Sequence, residues 1–511
     1  MLKTPLTPTY SMLMRLVNPA CLVTLVVFAV ATIAGISAVA LGSIQFEVPS
    51  ELEAYLELIP WSAIPVILPF LLVGALAFLR WPQITVYVLA FLLPFDAVGG
   101  IYFASPLMSL IKIAVNVFFV FSVISIAVAP PGWRRWLTSS YIGIFLSMFL
   151  VLLGLAGVIG LLMGYSQYEW LREFNWLAFY AFALPAGTFI RTRRQVGIVL
   201  VLTMLGALIY QGVGLSRLLT GIRFERAEDW SGGSDFIRVP FTEPMRFGLI
   251  WMLANVIKKG PRLWSGKFQR IGIISLMLLF SVGLLGSLAR GLWLSTAAAF
   301  GVILLIGKSR QFIRVFLVVI LVISISLLTI NWLDNLSPYS SGRFLADAYD
   351  FMVALFTGKS TSSTVGRVVE WVNAIKLWLK SPIIGNGIGA PFDYTIYNPL
   401  DLASFFTHNS YLNILAKMGL VGFLVFAGLI VSTVSSAWRL LRPGNRNPFE
   451  HILALSLFAY VVAVLLHSIM APAITATDTV MFFALIMGII VSLNRNLLGH
   501  SKVNELGEKT Q

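Results

Sequence analysis

The sequence predicts an all-α polytopic membrane protein of about 14 transmembrane helices, with one long outer-face segment containing amphipathic helices. Composition, run length and charge placement carry that prediction. Hydrophobic residues make up 58% of the 511, charged residues 11%, and mean hydropathy is +0.88. A soluble domain carries about 25% charge, so this chain has too little to solvate a surface in water. Its apolar runs reach the roughly 20 residues that cross about 30 Å of hydrocarbon, and none alternates like a barrel strand.

Apolar spans are expected at about 17–42, 60–80, 83–99, 105–129, 140–163, 173–190, 196–215, 244–258, 270–286, 288–307, 313–333, 414–438, 450–470 and 475–494. The first follows Lys3 and Arg15 but is longer than a signal peptide's apolar core, so it is read as a retained helix. It holds the single cysteine, Cys21, which leaves no intrachain disulfide. With an even number of spans both termini share a side. Segments on that side, from 1–16 through Arg191–Arg194 to the tail from Arg495, hold 22 Lys and Arg against 3 Asp and Glu. Opposite segments hold 13 against 18. The positive-inside rule makes the basic side cytoplasmic, with both termini, in a bacterial plasma (inner) membrane. The net charge of +14 is thus a topology signal with attraction to membrane lipids, and no nucleic-acid partner is implied.

The organisation follows: a transmembrane bundle over 1–333, a long periplasmic or extracellular segment over 334–413, C-terminal transmembrane helices over 414–494 and a cytoplasmic tail over 495–511. Residues 43–59 form an acidic outer segment and 216–243 one of mixed charge. Within 334–413, Val365, Val368, Val369, Val372, Ile375 and Leu379 recur at helical spacing opposite Arg367, Glu370, Lys376 and Lys380, and Ser381-Pro382 ends the helix. That pattern fits a helix on the membrane surface, or a lid over a site. The G-N-G-I-G run at 385–389 follows no strand and reads as a tight turn against the bundle rather than a nucleotide loop. Four scattered histidines without a cysteine partner imply no metal site.

Charged groups at membrane depth are costly and default to functional hypotheses. Arg290, in S-L-A-R-G, sits where two spans meet with almost no loop, and either snorkels to lipid phosphate or points into a polar cavity. Arg172 lies beside Glu169 and Glu173, where a surface ion pair is the bland alternative. Arg246 opens a span and can serve as a headgroup anchor; Lys112 can pair with Asp96. His408 precedes the span at 414–438, where Asn409 or Ser410 can cap the helix. A neutral imidazole there can take a proton from a hydroxyl, or bond a helix end. His467 is read as packing within its span.

The H-N-S-Y-L-N-I-L-A-K-M-G-L-V-G run from His408 resembles the C-terminal signature of the O-antigen ligase and O-antigen polymerase superfamily. So do R-V-V-E-W-V-N-A-I-K-L-W-L-K-S-P-I-I-G-N-G-I-G from Arg367 and S-L-A-R-G before the span at 288–307. Lys417 departs from that pattern, which commonly places an acidic or neutral residue there. The resemblance implies a GT-C-like membrane glycosyltransferase without a cofactor. Such an enzyme moves an oligo- or polysaccharide from undecaprenyl pyrophosphate to an acceptor hydroxyl on a glycan or a lipid A-core sugar. It implies His408 as base or as the group that orients the acceptor, Arg290 and Arg172 as pyrophosphate ligands, and Arg246, Arg367 and Asn409 as further substrate contacts. A polymerase is slightly favoured over a ligase by length. The alternative is a transporter or flippase, which predicts inverted repeats and midplane charges; neither is evident apart from Lys112. A membrane scaffold is the remaining reading.

Overall fold

The computed structural model describes residues 81–96, 106–220, 241–258, 267–287, 289–307, 320–321, 323–332, 362–393, 407–442, 448–475 and 477–508. Helices dominate throughout: α1 Pro82–Asp96, α2 Pro106–Val128, α3 Tyr141–Leu162, α4 Gln167–Ala178, α5 Ala183–Phe189, α6 Arg193–Thr220, α7 Glu243–Lys258, α8 Lys267–Gly286, α9 Arg290–Gly307, α10 Ser362–Lys380, α11 Ser410–Arg439, α12 Pro448–Met470 and α13 Thr477–Glu508. Four helices are long and apolar enough to cross a membrane: α3, Arg193–Val213 of α6, α11 and α12. The pair Ala114–Ala127 and Pro131–Ser139, bent by 115°, makes a fifth if it is one span. Against the expected 14, the described residues thus supply four or five, with shorter apolar helices at Pro82–Phe95, Ile271–Gly286, Gly291–Ile306, Ile323–Trp332 and Thr479–Arg495. The expected spans at 17–42 and 60–80, with Cys21 and the acidic segment 43–59, lie outside the described residues, as does most of 334–413.

One expected span is broken. Residues 173–190 run as α4, a 3₁₀ turn at Phe179–Phe182 and α5. Pro185 explains the break, because it offers no N–H to the preceding turn and its ring crowds the carbonyl four residues back. The whole stretch from Leu177 to Ile190 is buried. It packs on α13, whose residues from Val480 to Ile490 are apolar on every side and almost wholly buried. A helix apolar all round belongs at the centre of a bundle, and α13 occupies that place.

α3 and α11 pack side by side through Phe149 and Phe426, whose ring centroids are 5.3 Å apart. α11 is not continuous. Gly419 sits at φ +65°, and the helical hydrogen bonds around it are replaced by the G-N-G-I-G loop. Leu420 N–H donates to the Pro382 carbonyl (2.9 Å) and Val421 N–H to that of Ile383 (3.2 Å). In return Asn386 N–H reaches the Ala416 carbonyl (3.2 Å) and Gly387 N–H that of Lys417 (2.9 Å). The loop thus supplies the missing turn. A Cβ on Gly385 would fall 2.3 Å from the Lys417 carbonyl oxygen, and one on Gly419 2.3 Å from that of Ile383, so both positions require glycine. The expected tight turn against the bundle is therefore a plug in a broken helix.

α10 lies across this assembly with two different faces. Ala374 and Leu377 pack with Ala390, Phe392 and Ala416. Val368, Val372, Ile375 and Leu379 remain exposed, a stripe of the kind an interfacial helix presents to lipid.

Candidate active site

His408 stands immediately before α11. Asn409 caps that helix, its Oδ1 accepting from the Tyr411 and Leu412 N–H groups at 3.0 Å each. The cap fixes where the chain leaves the helix and so where His408 points. Glu370 of α10 holds the histidine twice: its Oε2 accepts from the His408 backbone N–H (2.8 Å) and lies 2.8 Å from Nδ1, with Oε1 at 3.0 Å. A proton on Nδ1 shared with this carboxylate leaves the lone pair of a neutral ring on Nε2. His408 is 35% exposed and Glu370 12%, so the pair lies at an open edge of the protein. The sequence placed Glu370 on the polar face of α10 but gave no sign that it meets His408, 38 residues on.

Arg367, one turn before Glu370, points to the same region: burial lowers its pKa while the Glu370 charge supports its protonated form. Arg246 is fully buried rather than exposed to headgroups. Its Nε donates to Glu243 Oε2 (2.8 Å), its Nη2 to Oε1 (2.5 Å) and its Nη1 to Ser295 Oγ (2.9 Å). Tyr460 Oη donates to Glu243 Oε2 (3.0 Å), so α7, α9 and α12 meet on one ion pair. Arg172 pairs with Glu169 and lies over the Trp176 ring at 5.2 Å, the bland alternative the sequence allowed. Burial raises the Glu169 pKa, and the Arg172 charge opposes that rise. Arg290 opens α9; its backbone is described and its side chain is not, which also holds for Lys112 and Asp96.

Lys417 has a structural account. Its ammonium, 1% exposed, donates to Glu173 Oε2 (2.9 Å) and to the Ala390 carbonyl (2.5 Å). Gly389 N–H donates to the same carboxylate oxygen (2.7 Å). The pair pins α4 and the glycine loop to α11 just before its break.

α11 and α12 are tied at the end where His408 lies. Tyr411 Oη donates to the Leu465 carbonyl (2.9 Å) and Ser410 Oγ to that of Ala471 (3.2 Å). His467 lies between these two ties on α12, and its ring faces Gly291 of α9. One end of the bundle thus gathers His408, Glu370, Arg367, Arg246, His467 and the start of α9. Apolar helices with a histidine–carboxylate pair and arginines at one end suit transfer onto a hydroxyl from an anionic, lipid-borne donor. No curated protein matches the chain. Residues 275–427, which hold Arg290, Arg367, Glu370, the glycine loop and His408, match the model of the O-antigen ligase family, and over that stretch the chain is similar to its members.

Proposed function

We propose that this protein is a membrane glycosyltransferase that moves an oligo- or polysaccharide from undecaprenyl pyrophosphate to an acceptor hydroxyl. The reaction takes place at the outer face of a bacterial plasma membrane, with both termini in the cytoplasm. The Glu370–His408 pair, inside the stretch that matches the ligase family, carries this reading. Glu370 fixes the tautomer and orientation of the ring, and Nε2 takes the proton of the acceptor hydroxyl. The acceptor oxygen bonds to the anomeric carbon as the bond from that carbon to the pyrophosphate oxygen breaks. The leaving oxygen keeps the electron pair, and inversion at the anomeric carbon follows. Arg290 and Arg367 neutralise the leaving pyrophosphate, with Arg172 on the flank. Arg246, held by Glu243, keeps α7, α9 and α12 in register, and Asn409 positions His408. The polyprenyl tail stays in lipid while the sugars remain in water, and no metal is required. The family match runs against a transporter or flippase. Chain length favours a polymerase, whose acceptor is a second lipid-linked glycan, over a ligase acting on a lipid A-core sugar.

The test is to substitute His408→Ala and Arg290→Ala separately and resolve surface polysaccharide on a gel. Long chains disappear if the reading is right; single repeats left on the core mark a polymerase, and absence of all ligated chains marks a ligase. Normal chains at normal protein levels would remove the enzyme from consideration.

A further inference from the structure

His467 was expected to do no more than pack within its helix. Its ring packs over the first turn of α9: a Cβ built on Gly291 would fall 2.9 Å from His467 Cδ2 and 3.3 Å from Nε2. Only a residue without a side chain lets the ring approach the helix start where Arg290 stands. His467 Nδ1 is shut off from solvent and has no hydrogen-bond partner among the described residues. A sealed N–H without an acceptor costs more than a sealed lone pair, so the ring proton belongs on Nε2, the nitrogen beside the opening of α9. That N–H joins the first backbone N–H groups of α9, which an α-helix leaves without internal partners. A hydrogen-bond donor beside the unpartnered backbone N–H groups of a helix start is the environment of an oxyanion.

We propose that His467, through Nε2–H, binds a phosphate oxygen of the lipid-linked donor at the start of α9, with Gly291 providing the space. The assignment rests on the donor reading above and gives α12 a part in it. The ties from Tyr411 to Leu465 and from Ser410 to Ala471 join the end of α12 that carries His467 to the start of α11 beside His408. His467 lies outside the stretch matched by the family model, which ends at residue 427.

Undecaprenyl pyrophosphate without sugar is the probe, titrated against the purified full-length chain in detergent and read by thermal stabilisation. Wild type and His408→Ala should bind alike, because His408 acts on the acceptor. His467→Ala should bind about 10-fold more weakly, the loss expected for one hydrogen bond to a charged group. His467→Gln, which can still donate, should recover most of that affinity, whereas a role in packing alone predicts no such rescue. Gly291→Ala should weaken binding as His467→Ala does, by pushing the ring aside, and it serves if His467→Ala does not accumulate. Undiminished binding by either His467→Ala or Gly291→Ala, with wild type binding well, overturns this assignment and leaves the donor reading intact. Failure of wild type to bind the probe overturns both.

Discussion

The Glu243–Arg246 and Glu370–His408 pairs share one motif, a carboxylate beside a nitrogen-bearing side chain, and differ in their access to water. Arg246 and Glu243 are 0% and 3% exposed, and α7, α9, α12 and α13 supply their partners. His408 and Glu370 are 35% and 12% exposed, and the histidine stands at the edge of the long segment that precedes α11. A sealed pair has spent its charges on one another and holds helices in register. An open pair costs the fold less and keeps a basic nitrogen where a substrate can arrive. Under the proposed function, position in the fold, not residue type, separates architecture from chemistry.

The largest effect should come from the open pair. His408→Ala should lower transfer by about 10²–10⁴-fold, the contribution of a positioned base, while leaving the thermal unfolding temperature unchanged. A drop in stability as large as the drop in activity would turn the open pair into a second structural one. The sealed pair should behave in the opposite way. Glu243→Gln leaves a buried guanidinium without its counter-charge and should cost about 3–5 kcal/mol of stability, seen as low yield and early unfolding. Combining it with Arg246→Met should return much of that stability, because replacing a buried pair by apolar groups is often neutral. No recovery in the double variant would show that Arg246 serves more than the Glu243 contact. Glu370→Gln should fall between them: a loss of about 10²-fold in turnover through the wrong tautomer at His408, with little change in stability. Preserved turnover would remove Glu370 from the reaction and leave it as a tether.

How much of this could be read from the sequence follows the range of the interactions. The helices at Tyr141–Leu162 and Pro448–Met470 lie within a few residues of the expected 140–163 and 450–470, because burying a run of apolar residues is a local property. His408, Arg290 and Arg367 were found as polar groups in an apolar chain and by resemblance. What joins them was not legible. The partner of Lys417 lies 244 residues away and that of His408 lies 38 away, and no local pattern marks either. The break at Gly419 is hidden for the same reason: an apolar run containing a glycine reads as continuous helix until the loop from Pro382 to Gly389 supplies the missing partners. The broken run at 173–190 did carry a signal, since Pro185 alone argues against one straight helix.

The smallest expected effect concerns why the open pair is open. Glu370 reaches His408 from α10, and the exposed stripe Val368, Val372, Ile375 and Leu379 gives that helix a second face to bury. A helix lying in the interface buries its apolar face about 5–10 Å below the headgroups, which would hold Glu370 and His408 at the water boundary where a sugar hydroxyl and a lipid-borne phosphate can meet. Because Cys21 is the only cysteine, a Cys21→Ser chain accepts single reporters cleanly. A fluorophore on Val372→Cys or Leu379→Cys should be quenched by lipids brominated on their acyl chains, and one on Lys376→Cys should be quenched far less. These are exposed sites, so each substitution should shift stability by no more than about 0.5 kcal/mol. Equal quenching in the stripe and at its edge, where Lys376 lies, would mean that α10 does not lie flat on lipid. The opening at His408 would then depend on how α10 packs against Ala390, Phe392 and Ala416 alone, and Ala374→Leu, which crowds that contact, would become the substitution that separates Glu370 from its histidine.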